Sequence, residues 1–189
     1  MNSILRTVSL LLLFTSPVAL GKPMEISDNY PYEFSQVLTL GQNKIRLSVD
    51  DSYQLISHDL TQNHHTMGFV PDNEGASNWS QYININITVN TNQVASKTVR
   101  NLHQYLKRNY KNVKIYDTDI SRDSSGLQEA MSTIFFTDEI GDVVVSVKYY
   151  SDNATLVGVE VSQRVRDSIS DARSDAEDIA DDTLSIKDI

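Results

Sequence analysis

Apolar and polar residues alternate almost without error between positions 82 and 89. Ile83, Ile85, Ile87 and Val89 occupy one parity, and Tyr82, Asn84, Asn86 and Thr88 the other. A period of two belongs to a β-strand with one face on a core and one toward water. A one-residue slip would expose every isoleucine, so the register is strongly specified. Trp79, the only tryptophan, precedes this run on the isoleucine parity. It is expected to fold over the edge of the isoleucine core and pin the start of the strand.

The same alternation marks FSQVLTL and KIRLSV, which flank Gly41-Gln42-Asn43 and read as a hairpin. Tyr53 to Thr61 and Met67 to Val70 read as weaker strands, and the Pro, Asp, Asn, Gly and Ser between residues 71 and 77 as a loop. Residues 112–116, 127–137, 142–150 and 154–161 are further strands. The short turns between the last three predict antiparallel neighbours.

Two segments change period. Over residues 91–110, Val94, Val99, Leu102, Tyr105, Leu106 and Tyr110 recur at three-to-four spacing, the stripe of an amphipathic helix. Thr91 or Asn92 is placed to cap it. Lys97, Arg100, Lys107 and Arg108 fall on its opposite side. From Ser162 onward, Val165, Ile169, Ala172, Ala176 and Ile179 form a second stripe, with Asp167, Asp171, Asp175, Glu177, Asp178, Asp181 and Asp182 around it. The order strands, helix, strands, helix predicts an α+β fold: one antiparallel sheet, covered on one face by the 91–110 helix. Residues 22–161 would form that domain and residues 162–189 an acidic helical tail.

The first 21 residues read differently. Arg6 is their only charge, an apolar run extends from Val8 to Leu20, and Ala19-Leu20-Gly21 offers small residues for cleavage. The run is short for a bilayer, so residues 1–21 are expected to be a cleaved secretory signal, with no membrane span afterwards. The localisation that follows is secreted or periplasmic. The chain has no cysteine, so it must rely on its core for stability, which suits a bacterial exported protein. Charge is uneven: residues 22–114 carry 9 basic and 8 acidic side chains, and residues 115–189 carry 6 and 17. Such an acidic balance argues against nucleic acid and anionic lipid as partners.

Phe69, Pro71, Glu74, Asn78 and Trp79 compose an aromatic-x-Pro segment, an acidic turn and an Asn-Trp pair before the alternating strand. This element resembles one in small exported proteobacterial proteins of unknown function. The order of elements is similar to the Mog1/PsbP-like fold, to which some type II secretion substrates are similar. The resemblance implies a fold and a secreted, effector-like or virulence-associated role, and brings no catalytic residues with it.

Candidate chemistry is sparse. His58, His64, His65 and His103 are the only histidines. Adjacent His64 and His65 point to opposite faces of a strand, which argues against a shared metal. No nucleophile-elbow motif and no Gly-rich phosphate loop is present. Asp117-Thr118-Asp119 and Asp138 to Asp142 are carboxylate-rich turns without the spacing of an EF-hand. The residues therefore imply no catalytic, cofactor-binding or metal-binding set and no cofactor. They point to an exported protein that acts by binding another protein. The surface expected to do so comprises Tyr82, Asn84 and Asn86 on the polar strand face and Lys97, Arg100, Lys107 and Arg108 on the helix. A secreted hydrolase assembled from distant residues, with His58 or His103 as its base, and a calcium-binding module are the alternatives.

Overall fold

A computed structural model of the protein describes residues 34–186. The expected signal (residues 1–21), the polar stretch after it and residues 187–189 lie outside the described residues. The alternating runs become β1 (Phe34–Leu40), β2 (Asn43–Val49), β3 (Tyr53–Leu60), β4 (His64–Pro71) and β5 (Gln81–Val89). Helix α1 (Ala95–Asn109) leads to β6 (Lys111–Arg122), β7 (Gln128–Thr137), β8 (Asp142–Ser151) and β9 (Thr155–Arg164). Helix α2 (Ile169–Thr183) and a short β10 (Leu184–Ile186) follow.

These strands do not make the single sheet expected from the sequence. They form a three-stranded sheet, β1-β2-β10, and a seven-stranded sheet, β3-β4-β5-β9-β8-β7-β6, with every pair antiparallel. The β1–β2 hairpin turns through Gly41 at φ +58°, a conformation glycine adopts without steric cost. It takes β10 as its third strand through Leu184↔Leu47. The fold is thus mostly β, with the small sheet laid against the large one.

The covering of the large sheet also differs from expectation. Ile83, Ile85 and Ile87, with Val157, Val159 and Val161, share a core with Ile45, Leu47, Val49 and Leu184 of the small sheet and with Ala172, Ala176 and Ala180 of α2. Helix α1 lies on the other face. Its Val99, Leu102, Tyr105 and Leu106 meet Ile134, Phe136, Val143, Val145 and Val147. The physical reason is visible in β8, where residues 143–151 are all buried. A central strand buried on both sides needs a cover on each face.

Residues 162–186 are part of this body. Strand β9 runs to Arg164, so the expected boundary after residue 161 falls inside a strand. The small Ala172, Ala176 and Ala180 let α2 lie close on β8 and β9. Ser168 caps it by accepting a hydrogen bond from the Asp171 N–H. Part of its acidic face is paired: Asp181 meets Lys148 of β8 at 2.6 Å, and Glu177 meets Arg173 of the same helix at 2.9 Å.

Neither Thr91 nor Asn92 caps α1. The cap position is Val94, which offers no side-chain acceptor. The free N–H groups are met from the sheet instead: Ala95 donates to Ser151 Oγ and Ser96 to Gln128 Oε1, both at 2.9 Å. Trp79 is buried, yet it belongs to the α1 face beside Tyr82, not to the isoleucine face. Strand β5 begins at Gln81, so the strand's parity does not extend back to residue 79.

Candidate functional site

The polar side chains of β5 do not form an open surface. Tyr82 and Asn84 are 5% and 4% exposed, and Asn86 is half-buried. Alternation announced two faces, but both are covered, so two of the three strand residues expected to meet a partner are interior.

What they build is a closed polar seam. Glu160 of β9 sits opposite Asn84 on one side and Val147 on the other. The Tyr149 hydroxyl donates to Glu160 Oε1, and Asn84 Nδ2 donates to Oε2 at 3.4 Å. Burial pushes the Glu160 carboxyl upward, and the two donors only partly offset that. Burial and the neighbouring carboxyl hold the Tyr149 phenol well above its ordinary value. Tyr149 lies flat over Gly158, and Tyr82 reaches across Gly68 toward Ser57, whose Oγ is 3.3 Å from the Tyr82 hydroxyl. A side chain at either glycine would occupy the space of the ring. Glu160 was not singled out from the sequence. Its signal is an acid inside the Val157–Val161 run, but a strand position does not say how deeply it is covered.

The residues of the acidic Asn-Trp element act as a clamp. Glu74 accepts hydrogen bonds from Ser80 through both the backbone N–H and, at 2.6 Å, the hydroxyl. Asn78 Oδ1 accepts from the Gly75 N–H at 2.9 Å. Gln54 Nε2 donates to the carbonyls of Asp72 and Glu74. These contacts deliver Trp79 to its place; they describe architecture rather than a ligand site.

The hydrolase alternative has one partial match. His103 Nε2 is 2.9 Å from Ser132 Oγ. That hydroxyl donates to the Asp117 carbonyl at 2.7 Å, so the imidazole donates to the serine oxygen. This polarity is the reverse of nucleophile activation, and Ser132 is buried in mid-strand. The contact ties α1 to β7 and β6. The calcium alternative fares similarly. Asp138 Oδ1 accepts from Arg164 and from the Ile140 and Gly141 N–H groups. Asp117 pairs with Arg173, and it lies within strand β6 together with Asp119.

The remaining expected residues do share an open surface. Lys97, Arg100, Lys107 and Arg108 are all exposed on the outer side of α1. They take part in none of the ion pairs among the described residues. Lys111 and Lys114 continue the basic surface onto β6, where both are exposed. The acidic α2 lies on the opposite face of the large sheet and cannot neutralise this patch directly. Among the described residues no helix is long and apolar enough to cross a membrane.

With α1 on one face of the large antiparallel sheet and α2 and the small sheet on the other, the chain has a PsbP-like fold. The chain is similar over 88% of its length to the solution structure of cyanobacterial PsbP (CyanoP) from Synechocystis sp. PCC 6803, covering 100% of that chain, with a TM-score of 0.54 at 6% identity. Lesser likenesses are to LpqN of Mycobacterium tuberculosis, described as involved in cell envelope biogenesis (TM-score 0.41, 12% identity, 86% of this chain and 100% of that one), and to a Bacteroides thetaiotaomicron protein (TM-score 0.42, 11% identity, 82% of this chain and 48% of that one). No protein-family model matches the chain, and no curated protein sequence matches it significantly. The PsbP-like part of the sequence resemblance therefore stands, as a statement about fold.

Proposed function

We infer that this chain is an exported protein that works by binding an acidic protein partner through the outer face of α1, without chemistry of its own. The observation that carries this reading is the set of four exposed basic side chains, Lys97, Arg100, Lys107 and Arg108, which take part in none of the ion pairs among the described residues. On a molecule of net charge -9, a basic face steers an acidic partner to one side and repels it from the other. The signal-like first 21 residues support export to the periplasm or beyond. The closed polar seam supports a binding role over catalysis, because its donors and acceptors are already spent on one another.

The test uses the mature chain as bait for periplasmic extract and for host-cell lysate. The native protein should retain an acidic partner that elutes between about 0.15 and 1 M salt, where the screening length falls from about 8 to 3 Å. The variant K97E/R100E/K107E/R108E, checked for a native circular dichroism spectrum, should retain none. Equal retention by both, or none by either, overturns the reading.

A further inference from the structure

His58 and His65 stand on neighbouring strands of the hairpin β3–β4. His58 is in register with Met67, and Leu60 with His65, so the two histidines lie diagonally on one face. Their Nε2 atoms are 2.6 Å apart, and their ring centroids 4.7 Å apart at 61°. Both rings are half-buried, and β3 is the outer strand of the large sheet. His64 turns to the other face, where its Nδ1 lies 2.9 Å from Thr88 Oγ1. The adjacency of His64 and His65 therefore hid the pair that matters, which spans seven positions across a turn.

Two imidazole nitrogens aimed at one point hold either a shared proton or a cation. We propose that His58 and His65 chelate a borderline divalent transition cation, of the class of Zn2+, Ni2+ or Cu2+, through their Nε2 atoms. Imidazole is a preferred donor for these ions, whereas calcium and magnesium select oxygen. Coordination needs neutral rings. The ring that donates its Nε2–H to the other moves that proton to Nδ1, so both lone pairs face the ion without net proton release. Metal–nitrogen bonds of about 2.0–2.1 Å ask the two nitrogens to part by about 0.3 Å for a right-angle site and by about 0.7 Å for a tetrahedral one, which rotation of the two side chains supplies. Among the described residues no third His, Asp or Glu converges on the point. In this proposal solvent or a donor from a bound molecule completes the coordination, as at exchangeable rather than structural centres.

The test is calorimetric titration of the mature chain with zinc chloride, then nickel chloride, in a buffer without chelators. Cu2+ electron paramagnetic resonance runs beside it. One equivalent should saturate, and the copper spectrum should show two nitrogen couplings. H58Q and H65Q should each weaken binding by more than about tenfold, the low end of what even supporting residues of a metal site cost. H64Q should bind as the native chain does. Circular dichroism melts confirm that each variant is folded. Absence of heat, affinity unchanged in H58Q or H65Q, or an equal loss in H64Q overturns the proposal. These readouts concern the ion alone and are independent of any protein partner.

Discussion

The guanidinium of Arg164 lies 4.3 Å from the ring centroid of Trp79, and its Nη1 meets Asp138 at 2.8 Å. One side chain at the end of β9 thus joins the loop before β5 to the turn between β7 and β8. A cation held between an indole face and a carboxylate is favoured on both sides. Both partners of the ion pair are largely buried, with side-chain exposures of 13% and 7%.

This junction should be costly to break. Arg164→Met keeps much of the stem but leaves Asp138 without its cation, and should cost about 3–5 kcal/mol. Asp138→Asn in the same chain should recover a large part of that. Trp79→Ala should cost about 3–5 kcal/mol as a buried aromatic truncation. Urea denaturation at pH 7 measures all three.

The two buried acids should give opposite pH dependence. Burial raises the Asp138 carboxyl, but Arg164 and the N–H groups of Ile140 and Gly141 outweigh it, and the net shift is downward. Its stabilisation is present above the ordinary carboxylate range and is lost as pH falls through the lowered folded value. Glu160 is raised, so its contribution is best below the unfolded value of about 4.3 and is lost as pH rises through the folded one. Glu160→Gln should therefore be more stable than the native chain at pH 8, with the advantage fading toward pH 4. Urea melts across that range decide it; a constant difference would refute the assignment.

Gly158→Ala should destabilise by about 1–3 kcal/mol, because the added methyl meets the Tyr149 ring and the well-packed strand has little room to give. The loss should shrink in Gly158→Ala/Tyr149→Val relative to the sum of the single changes, since the two positions are in register. Thermal unfolding of the four-member cycle gives the coupling.

Ser151→Ala should cost about 1–2 kcal/mol, although Ser151 is 56 positions from the helix residue it caps. It leaves the buried Ala95 N–H without its acceptor. Hydrogen exchange at Ala95 should accelerate in this variant more than exchange at Leu106, deeper in the helix.

Much of the local structure was legible along the chain. The alternation of β1, β2, β5 and β8, the stripe of α1 and the alanine-rich stripe of α2 are short-range patterns, each set by the 2.0 or 3.6 period of the backbone. The outward side of α1 was legible for the same reason, since its basic residues had no apolar neighbours in the helical stripe. By contrast, the third strand of the small sheet is only three residues, Leu184 to Ile186, too few to show a period.

The sequence by itself determined most of the strands and both helices, though not β10 or the second half of β6, and which side chains within each share a face. Tertiary structure alone decided what lies on each face: α1 over the Tyr82 side, and α2 with the small sheet over the isoleucines. It also decided the cap of α1, the burial of Glu160 and the meeting of His58 with His65. Periodicity constrains neighbours a few residues apart. These pairings join positions brought together only when both sides of a central sheet must be shielded from water.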